Sequence, residues 1–405
     1  MRESFRRKRL YGIASILMAL LLSSSGLFAA EWSVVPAYQT RGQFNDNITL
    51  TTRPHNSVWA VWLNPSVQMQ YATEILSFQA HPEFEYVQYF GNSQNDKTFA
   101  NFFLPFKGSY HTEVDRFGFN VVINRDIALL GELQETGIVT NFIQRQTNTA
   151  GGNWERVLTE RLFLDTGYQF RYVNYDKGEE SGLFDFQTHT GSFGPRYEFT
   201  EETQFHGTAY YTNTHFEDFG FRSQSLGGEV GITQRIFETY TVTLNGGGRN
   251  VWTTSTSNGI QSKNTKIVWL VNASLVKEWE RSNASVAYSR TLNPSGRGVL
   301  LATDRVSVDV DHELTERITA SLKGTWTMND TVGSSSERNR IQNTRFWQIA
   351  PAVSWRLRED WLLRFSYTYR QRNRNVQGGD SSGTAKSNSV DLSLTYTWPK
   401  WSLSR

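Results

Sequence analysis

The chain has 405 residues, no cysteine and a formal net charge of +2 at pH 7. The absence of cysteine excludes disulfides, thiolate metal sites and a lipid-anchored cysteine, and the near-zero charge argues against a nucleic-acid binder. The length and the lack of a Pro/Gly-rich linker disfavour one conventional core, because single cores seldom grow beyond roughly 250 to 300 residues.

The first predicted element is a secretory signal peptide over residues 1–30. Basic residues precede an apolar run from Leu10 to Leu22, and small residues follow it. This order is typical of a signal peptide, with cleavage after Ala30 and Ala29 as the alternative. The run is short for a spanning helix, so an uncleaved anchor is a minor alternative. The segment carries +4, which leaves the mature chain, predicted to be a single domain over residues 31–405, near −2.

Short acidic or Thr-Glu turns recur through the mature chain at intervals of 36 to 47 residues. They lie at Thr73, Thr112, Thr159, Thr200, Glu238, Trp279, Thr315 and Arg358. A recurring interval indicates a repeated structural unit. Between the turns apolar and polar residues alternate with period two, as in Trp361, Leu363 and Phe365 against Arg364 and Ser366. Each unit is therefore predicted to be a β-hairpin.

Eight such turns imply nine hairpins, and hence about 18 strands, with 16 as the alternative. The predicted strands lie near residues 32–40, 57–71, 76–90, 98–110, 115–125, 144–157, 161–175, 184–198, 203–215, 223–236, 241–253, 264–278, 283–292, 304–313, 318–328, 344–356, 361–372 and 387–398. The least certain region lies between Asp126 and Asn153, where residues 127–130 either extend a strand or fold inward as a constriction loop.

A closed transmembrane barrel explains these strands better than a soluble sandwich does. The mean hydropathy is −0.50, which looks soluble, but every second residue of a barrel strand faces water in the lumen. Aromatic residues make up 14% of the chain, and many stand at strand ends, where membrane barrels carry their girdles. The sequence thus predicts an all-β, transmembrane, antiparallel, up-and-down β-barrel in the bacterial outer membrane, reached after secretion through the inner membrane.

The segments opposite the turns are longer and richer in Gly, Ser, Asn and Asp. The predicted outer loops include residues 43–56, 91–97, 177–183, 255–263, 327–340 and 373–386. Outer-membrane barrels have short periplasmic turns and longer extracellular loops, so the acidic turns are predicted to be periplasmic. An 18-stranded barrel is wide enough for an aqueous channel, and no separate domain is predicted to plug it.

Four motifs resemble one known family. Phe44-Asn45-Asp46-Asn47-Ile48 follows the first strand, Glu132-Leu133-Gln134-Glu135-Thr136-Gly137 lies in the long loop, Leu158-Thr159-Glu160-Arg161 precedes Gly167-Tyr168, and Tyr396-Thr397-Trp398-Pro399-Lys400-Trp401 ends the chain. In this order they resemble the outer-membrane β-barrel family associated with the PEP-CTERM and exosortase exopolysaccharide system. The resemblance covers nearly the whole mature chain. It implies a role in exopolysaccharide production or export and carries over no active site.

The period-two pattern also predicts the lumen lining. The basic lining residues are Arg171, Arg235, Arg249, Lys323, Arg364, Arg370 and Arg372, and the acidic ones are Glu83, Glu85, Asp165, Glu229, Asp309, Asp311 and Asp391. Mixed charge suits a hydrated, weakly selective path, and Tyr89 and Phe103 are predicted to offer stacking faces to sugars. The alternative for each charged residue is that it pairs across strands and stiffens the wall.

The sequence contains few features that would indicate an enzyme or a metal site. The seven histidines show no close metal-ligand spacing, and no catalytic motif is present. His189 is predicted to face lipid, where a barrel lipase would keep a histidine, but no serine and acidic partners are evident. Asn45, Asp46 and Asn47 are first of all Asx-turn formers, with a calcium site as a minor alternative. We predict no catalytic site, no metal and no cofactor.

Three classes of function follow from the sequence. The first is an outer-membrane channel that takes part in exopolysaccharide export or biosynthesis, or a general diffusion porin for small hydrophilic solutes. The second is a non-conducting structural or surface barrel, and the third is an outer-membrane enzyme. The predicted partners are outer-membrane lipid, the barrel-assembly machinery, and, by resemblance, exopolysaccharide and periplasmic export components. No nucleic acid is predicted to bind.

Overall fold

The computed structural model describes residues 31–52, 55–91, 96–136, 142–216, 220–257, 260–332, 344–374 and 383–404. The predicted signal peptide lies outside these residues. The strands are β1 (Glu31–Asn45), β2 (Val58–Ala72), β3 (Leu76–Ala80), β4 (Glu83–Phe90), β5 (Lys97–His111), β6 (Asp115–Ile127), β7 (Gln144–Val157), β8 (Leu162–Tyr175), β9 (Phe186–Glu198), β10 (Thr203–Phe216), β11 (Phe221–Ile236), β12 (Tyr240–Ser257), β13 (Ile260–Glu278), β14 (Ser282–Ser295), β15 (Val299–Thr315), β16 (Ile318–Val332), β17 (Thr344–Arg358), β18 (Trp361–Arg374), β19 (Gly383–Thr397) and β20 (Trp401–Ser404).

These strands form one antiparallel sheet that closes on itself, because β1 pairs with both β2 and β19. Two barrel strands are interrupted. Pro82 lies between β3 and β4, and Pro399 between β19 and β20, in keeping with the lack of an N–H on proline. Each interrupted pair counts as one strand of the wall. The described residues thus confirm the predicted all-β, up-and-down barrel of 18 strands.

One helix and one 3₁₀ turn complete the described elements. The helix, α1 (Ala128–Thr136), directly follows β6, and the 3₁₀ turn covers Glu179–Ser181. Among the described residues no helix is long and apolar enough to cross a membrane.

Several strands are longer than the sequence predicted. β12 continues to Ser257 and β13 starts at Ile260, so most of the predicted loop 255–263 belongs to one long hairpin. β15 starts at Val299, and β16 runs to Val332 inside the predicted loop 327–340. Polar residues dominate the extensions of β12, β13 and β16, and this composition hid those strand ends, whereas the extension of β15 is mostly apolar.

The recurring turns all lie at one end of the barrel, called the turn end below; the other end is called the loop end. In five turns a threonine hydroxyl accepts a hydrogen bond from the backbone N–H three residues later, at 3.0 to 3.1 Å. These residues are Thr73, Thr112, Thr159, Thr200 and Thr315. The hydroxyl gives a hydrogen-bond acceptor to a backbone N–H where the chain reverses, which explains why threonine recurs there.

The two faces of the wall differ as the alternation predicted. Val230 and Leu392 point outward and are 71% and 52% exposed. Ser389 and Asp391, which precede Leu392 on the same strand and point to the opposite face, are buried inside the barrel. An isolated soluble domain rarely leaves so many large apolar side chains exposed in a continuous band, whereas lipid would cover them.

Segments that fold inward fill the loop end of the lumen, and residues 128–130 take the inward one of their two predicted conformations. One apolar cluster joins Trp62, Tyr89, Ile127, Leu129 and Phe142 inside the wall of β2 to β7. A second spans the inner faces of β8 to β16, and a third joins Leu50 and Leu133 to the wall of β17 and β19. Inward-folded segments therefore replace the missing plug domain.

Candidate functional site: the lumen constriction

The constriction is built around α1, whose sequence favours a helix. Leu129 and Leu133 are four residues apart, and Glu132 and Glu135 are three apart, so each pair shares a helix face. The leucine side chains are buried against the wall. Gly131 is needed for close approach, because a Cβ there would lie 2.0 Å from Nη2 of Arg145. The helix thus places carboxylates beside the arginine of the wall.

The helix crosses the lumen. It starts at the loop end of β6, and near its other end Nη2 of Arg305, on β15, donates a 2.8 Å hydrogen bond to the Glu135 carbonyl. β6 and β15 lie on opposite sides of the closed ring. Leu133 packs against Phe346 of β17. Any solute that passes along the barrel axis must therefore pass α1.

An ionic cluster holds the helix to the wall. Nε and Nη2 of Arg145 donate to the Asp126 carboxylate at 3.0 and 2.7 Å. Nη1 of Arg145 lies 3.0 Å from Oε1 of Glu135 and 3.7 Å from Oε1 of Glu132. Arg171 donates to Oε2 of Glu135 at 2.5 Å. Because the Arg145 side chain is only 2% exposed, solvent screens its charge-assisted contacts weakly.

The pKa values of the two helix carboxyls shift in opposite directions. Burial raises the pKa of Glu132 above its ordinary value, although Arg145 opposes the shift, and the Tyr175 hydroxyl donates to its Oε1. Burial would also raise the pKa of Glu135, but Arg171 and Arg145 outweigh it and lower that pKa. Burial thus favours the neutral form of Glu132, whereas the two arginines favour the charged form of Glu135.

A polar strip lies on the inner wall beside the constriction. It is formed by Gln169, Arg171, Thr188, Thr190, Thr212, Thr214, Ser223, Ser225 and Arg249, which line one cavity. Leu292, Asn293, Pro294 and Leu300 close the other side of that cavity. Arg249 stacks over Tyr210 at 4.6 Å and lies 3.5 Å from Glu229. Hydroxyl groups and guanidinium groups of this kind bind sugar hydroxyls and anions.

The three arginines predicted to form a basic row on β18 have different partners and do not converge on one site. Nε of Arg370 donates to Gln348 at 2.9 Å. The Arg370 side chain lines a cavity together with Leu130 and Leu133 of α1. Arg364 donates to the hydroxyls of Ser354 and Ser321 at 3.2 and 3.3 Å. Arg372 lies opposite Phe346 in the register of β17 and β18.

The acidic candidates mostly pair with neighbours along the wall. Asp391 accepts from Gln43 at 2.6 Å, and Glu85 accepts from Asn101 at 2.8 Å. Glu83 lies 3.5 Å from His81. Asp165 accepts from Nε of Arg196 at 3.3 Å.

The remaining candidates lie toward the turn end. Lys323 and Asp309 face each other at 3.8 Å and are largely hydrated. Asp311 and Arg235 are exposed there. They stay predictions as lumen-lining groups, with no shared binding site among them in the described residues.

The two aromatic residues predicted to stack on sugars, Tyr89 and Phe103, differ in exposure. Tyr89 is fully buried, with its ring 5.6 Å from Trp62 and 5.4 Å from Phe142, so it offers no face to a sugar. This corrects its predicted role, and the reason is that apolar residues of the inward segments cover it. Phe103 stays 38% exposed. His189 faces outward and contacts the Tyr168 hydroxyl at 2.7 Å.

The predicted Asx turn is present. Nδ2 and the backbone N–H of Asn388 donate to Asp46 at 2.7 Å, and the Asn45 side chain accepts from the Asn47 N–H at 2.8 Å. These bonds hold the start of the first loop against β19. No group of three or more potential metal ligands occurs among the described residues.

Sequence reasoning missed the centre of the constriction. Glu132 and Glu135 appeared only within a family motif, and Asp126, Arg145 and Arg305 were not singled out. The available signal was local: two carboxylates three residues apart beside two leucines four residues apart predict a short amphipathic helix. The basic partners come from strands distant in sequence, so no local pattern marks them.

No family model and no curated protein matches the chain. Among solved structures it is similar to outer-membrane protein OpdK of Pseudomonas aeruginosa, with 11% identity, a TM-score of 0.44, and coverage of 92% of this chain and 99% of that one. It is also similar to OccK2 (OpdF) of Pseudomonas aeruginosa, with 10% identity, a TM-score of 0.43, and coverage of 91% and 97%. OccAB3 of Acinetobacter baumannii matches with 12% identity, a TM-score of 0.40, and coverage of 93% and 100%.

The class of protein follows from the chain's own strand pairing and surface. In the closed antiparallel barrel the wall strands pair with one another around the ring, and the outer face is apolar. Together with its even strand number, this defines a bacterial outer-membrane β-barrel.

Proposed function

We propose that the protein is a gated outer-membrane channel for hydrophilic molecules that takes part in exopolysaccharide export. The observation that carries the channel is α1, which crosses a polar, charged lumen and is held there by ion pairs with the walls. A purely structural barrel needs no charged groups around an axial passage. Removing the charged groups of this lumen from water costs free energy, and contact with a permeating polar molecule offsets that cost.

The crossing helix favours a regulated path over general diffusion. A general porin keeps a permanently hydrated lumen, whereas Leu129 and Leu133 seal α1 against the wall with exposures of 0% and 3%. Permeation through the part of the lumen that α1 occupies therefore requires the helix to leave its position. The polar strip with Arg171 and Arg249 then supplies donors for hydroxylated or anionic solutes.

The exopolysaccharide assignment rests on the family resemblance of the four sequence motifs. The polar strip is compatible with it, because hydroxyl and guanidinium groups bind sugar hydroxyls and acidic groups of polymers. The outer-membrane position supplies the site at which a secreted polymer leaves the cell.

The channel is tested by removing the apolar anchors of α1. Leu129→Asp/Leu133→Asp should undock the helix, because two buried carboxylates without partners are costly, and single-channel conductance in planar bilayers should rise at least tenfold. The matched control Leu129→Met/Leu133→Met keeps side-chain volume and should conduct like the wild type. A correctly folded double Asp variant that never conducts would reject the channel.

The export role is tested separately in the producing cell. Deletion of the gene should lower secreted exopolysaccharide, and the wild-type chain should restore it. Unchanged polymer yield, with conductance intact in bilayers, would reject the export role and leave a solute channel.

A further inference from the structure

The hydrogen-bond ladder between β13 and β14 covers only part of the length of β13. β13 pairs with β12 along its whole length, up to Ile260 opposite Ser257. It pairs with β14 only from Val271 opposite Arg290 down to the turn. Above this point the described part of β13 has no ladder to β14. Unpaired strand edges are costly, so a neighbour of the wall has moved away from its place in the ladder.

The displaced neighbour is the tip of the β14–β15 hairpin, residues 291–300, which folds into the lumen. The Gly296 carbonyl accepts a 2.6 Å hydrogen bond from the Phe184 N–H, beyond β8 on another side of the barrel. The contact is close, because a Cβ on Gly296 would lie 2.4 Å from the Tyr175 hydroxyl oxygen. The inward position of the tip therefore requires a residue without a Cβ at position 296.

Apolar packing, rather than a ladder, closes the seam above Val271. Val268 and Leu270 on the inner face of β13 belong to one buried cluster with Leu300, and Leu292 packs against it. The top of β14 and β15 thus lies inside the top of β13 as a second layer. Apolar contact is non-directional, so these two layers can separate or slide past one another.

The inward tip covers the polar strip. Leu292, Pro294 and Leu300 lie over a surface of hydroxyls and guanidiniums. Under this cover Thr214 and Ser223 are only 2% and 4% exposed. Nε atoms of Arg171 and Arg249 are buried without a hydrogen-bond partner among the described residues. Polar groups buried in this way are costly, and water would satisfy them if the tip left.

We propose that the tip, residues 291–300, is a movable gate with two positions. Inward, it covers the polar strip and closes the lumen beside α1. In the wall, it extends the β13–β14 ladder, and the strip forms a hydrated path for hydroxyl-rich or anionic solutes. Continuing the observed register places Ser295 opposite Lys266 in the wall position. This inference rests on the proposed channel function and adds its regulation.

A disulfide trap tests the wall position in the full-length barrel, which has no cysteine of its own. Lys266→Cys/Ser295→Cys should form a disulfide only when the tip lies in the wall. Oxidation should then raise potassium chloride conductance in planar bilayers several-fold, and a reductant should reverse the rise. The matched control Ser274→Cys/Ala287→Cys joins residues that are already paired, so it should cross-link without changing conductance.

A glycine substitution tests the inward position. Gly296→Val should clash with Tyr175, expel the tip and raise conductance in the absence of any cross-link. Gly191→Val is the control, since a Cβ at Gly191 meets nothing within 4 Å. An unchanged conductance in both the oxidised trap and Gly296→Val would overturn the gate. If Leu129→Asp/Leu133→Asp conducts in the same assay, the channel survives that result; if it is also silent, the proposed function falls with the gate.

Discussion

At the scale of single residues, the constriction depends on two neighbouring positions of α1. Gly131 lets the Arg145 guanidinium pass close to the helix, and Glu132 then meets both Arg145 and the Tyr175 hydroxyl. A larger residue at 131 would separate the helix from the wall. One missing side chain thus allows the ionic contacts that hold the helix across the lumen.

Glu132 makes the docking of α1 sensitive to pH. Its pKa is raised by burial, so the docked state favours the protonated acid. Its contribution is fully present below the ordinary pKa and is lost as the pH rises through the raised value. We expect the wild-type barrel to open more often as pH rises above the ordinary carboxyl range.

The test is Glu132→Gln, which keeps an acceptor for Tyr175 and removes the titration. Its open fraction in planar bilayers should stay flat over the pH interval in which the wild type changes. Glu180→Gln, at an exposed position of the 3₁₀ turn, should keep the wild-type profile. Identical profiles for wild type and Glu132→Gln would exclude Glu132 as the titrating group.

At the scale of elements, the hairpin is the repeating unit, and its turn carries the recognisable signal. The threonine hydroxyl takes over a backbone hydrogen bond where the ladder ends. Strand length is less visible, since β12 and β13 continue through polar residues. Turn chemistry is local, whereas strand extension depends on a partner strand.

The turn hydroxyls should contribute measurably to stability. Thr200→Ala removes the hydroxyl that accepts from the Thr203 N–H at 3.0 Å and leaves only the longer 3.3 Å bond to the Thr200 carbonyl, so it should lower the free energy of unfolding by about 1 kcal/mol. Thr200→Ser keeps the hydroxyl and should cost less. Urea titration of the barrel in lipid vesicles measures both. Equal losses for the two variants would show that the methyl group, not the hydrogen bond, matters.

At the scale of the whole molecule, the barrel is a closed wall around a lumen that its own loop end fills. The wall isolates the charged interior from lipid, so the field of the lumen is focused along the axis. Arg364, Arg370 and Arg372 share the lumen face of β18, and Asp391 on β19 partly offsets them. A modest anion preference should result when the barrel is open.

This preference is tested with Arg364→Glu/Arg370→Glu/Arg372→Glu. The reversal potential under a salt gradient should shift toward cation preference, and the shift should shrink toward 1 M salt, where the screening length is about 3 Å. Arg161→Glu/Arg281→Glu/Arg317→Glu makes the same charge change in exposed turns and should shift it far less. Equal shifts from both triple variants would place the selectivity outside the lumen.

The sequence by itself determined the barrel, its strand number, the position of its turns and the facing of its wall. Each of these follows from alternation with period two and from turn residues, which are local properties. Only the tertiary structure decided what fills the lumen. Glu135 and Arg305 meet across 170 residues of chain, and Tyr89, predicted to face solutes, is covered by Phe142 and α1. Burial by inward segments and pairing between distant strands depend on closure of the ring, and no local pattern encodes them.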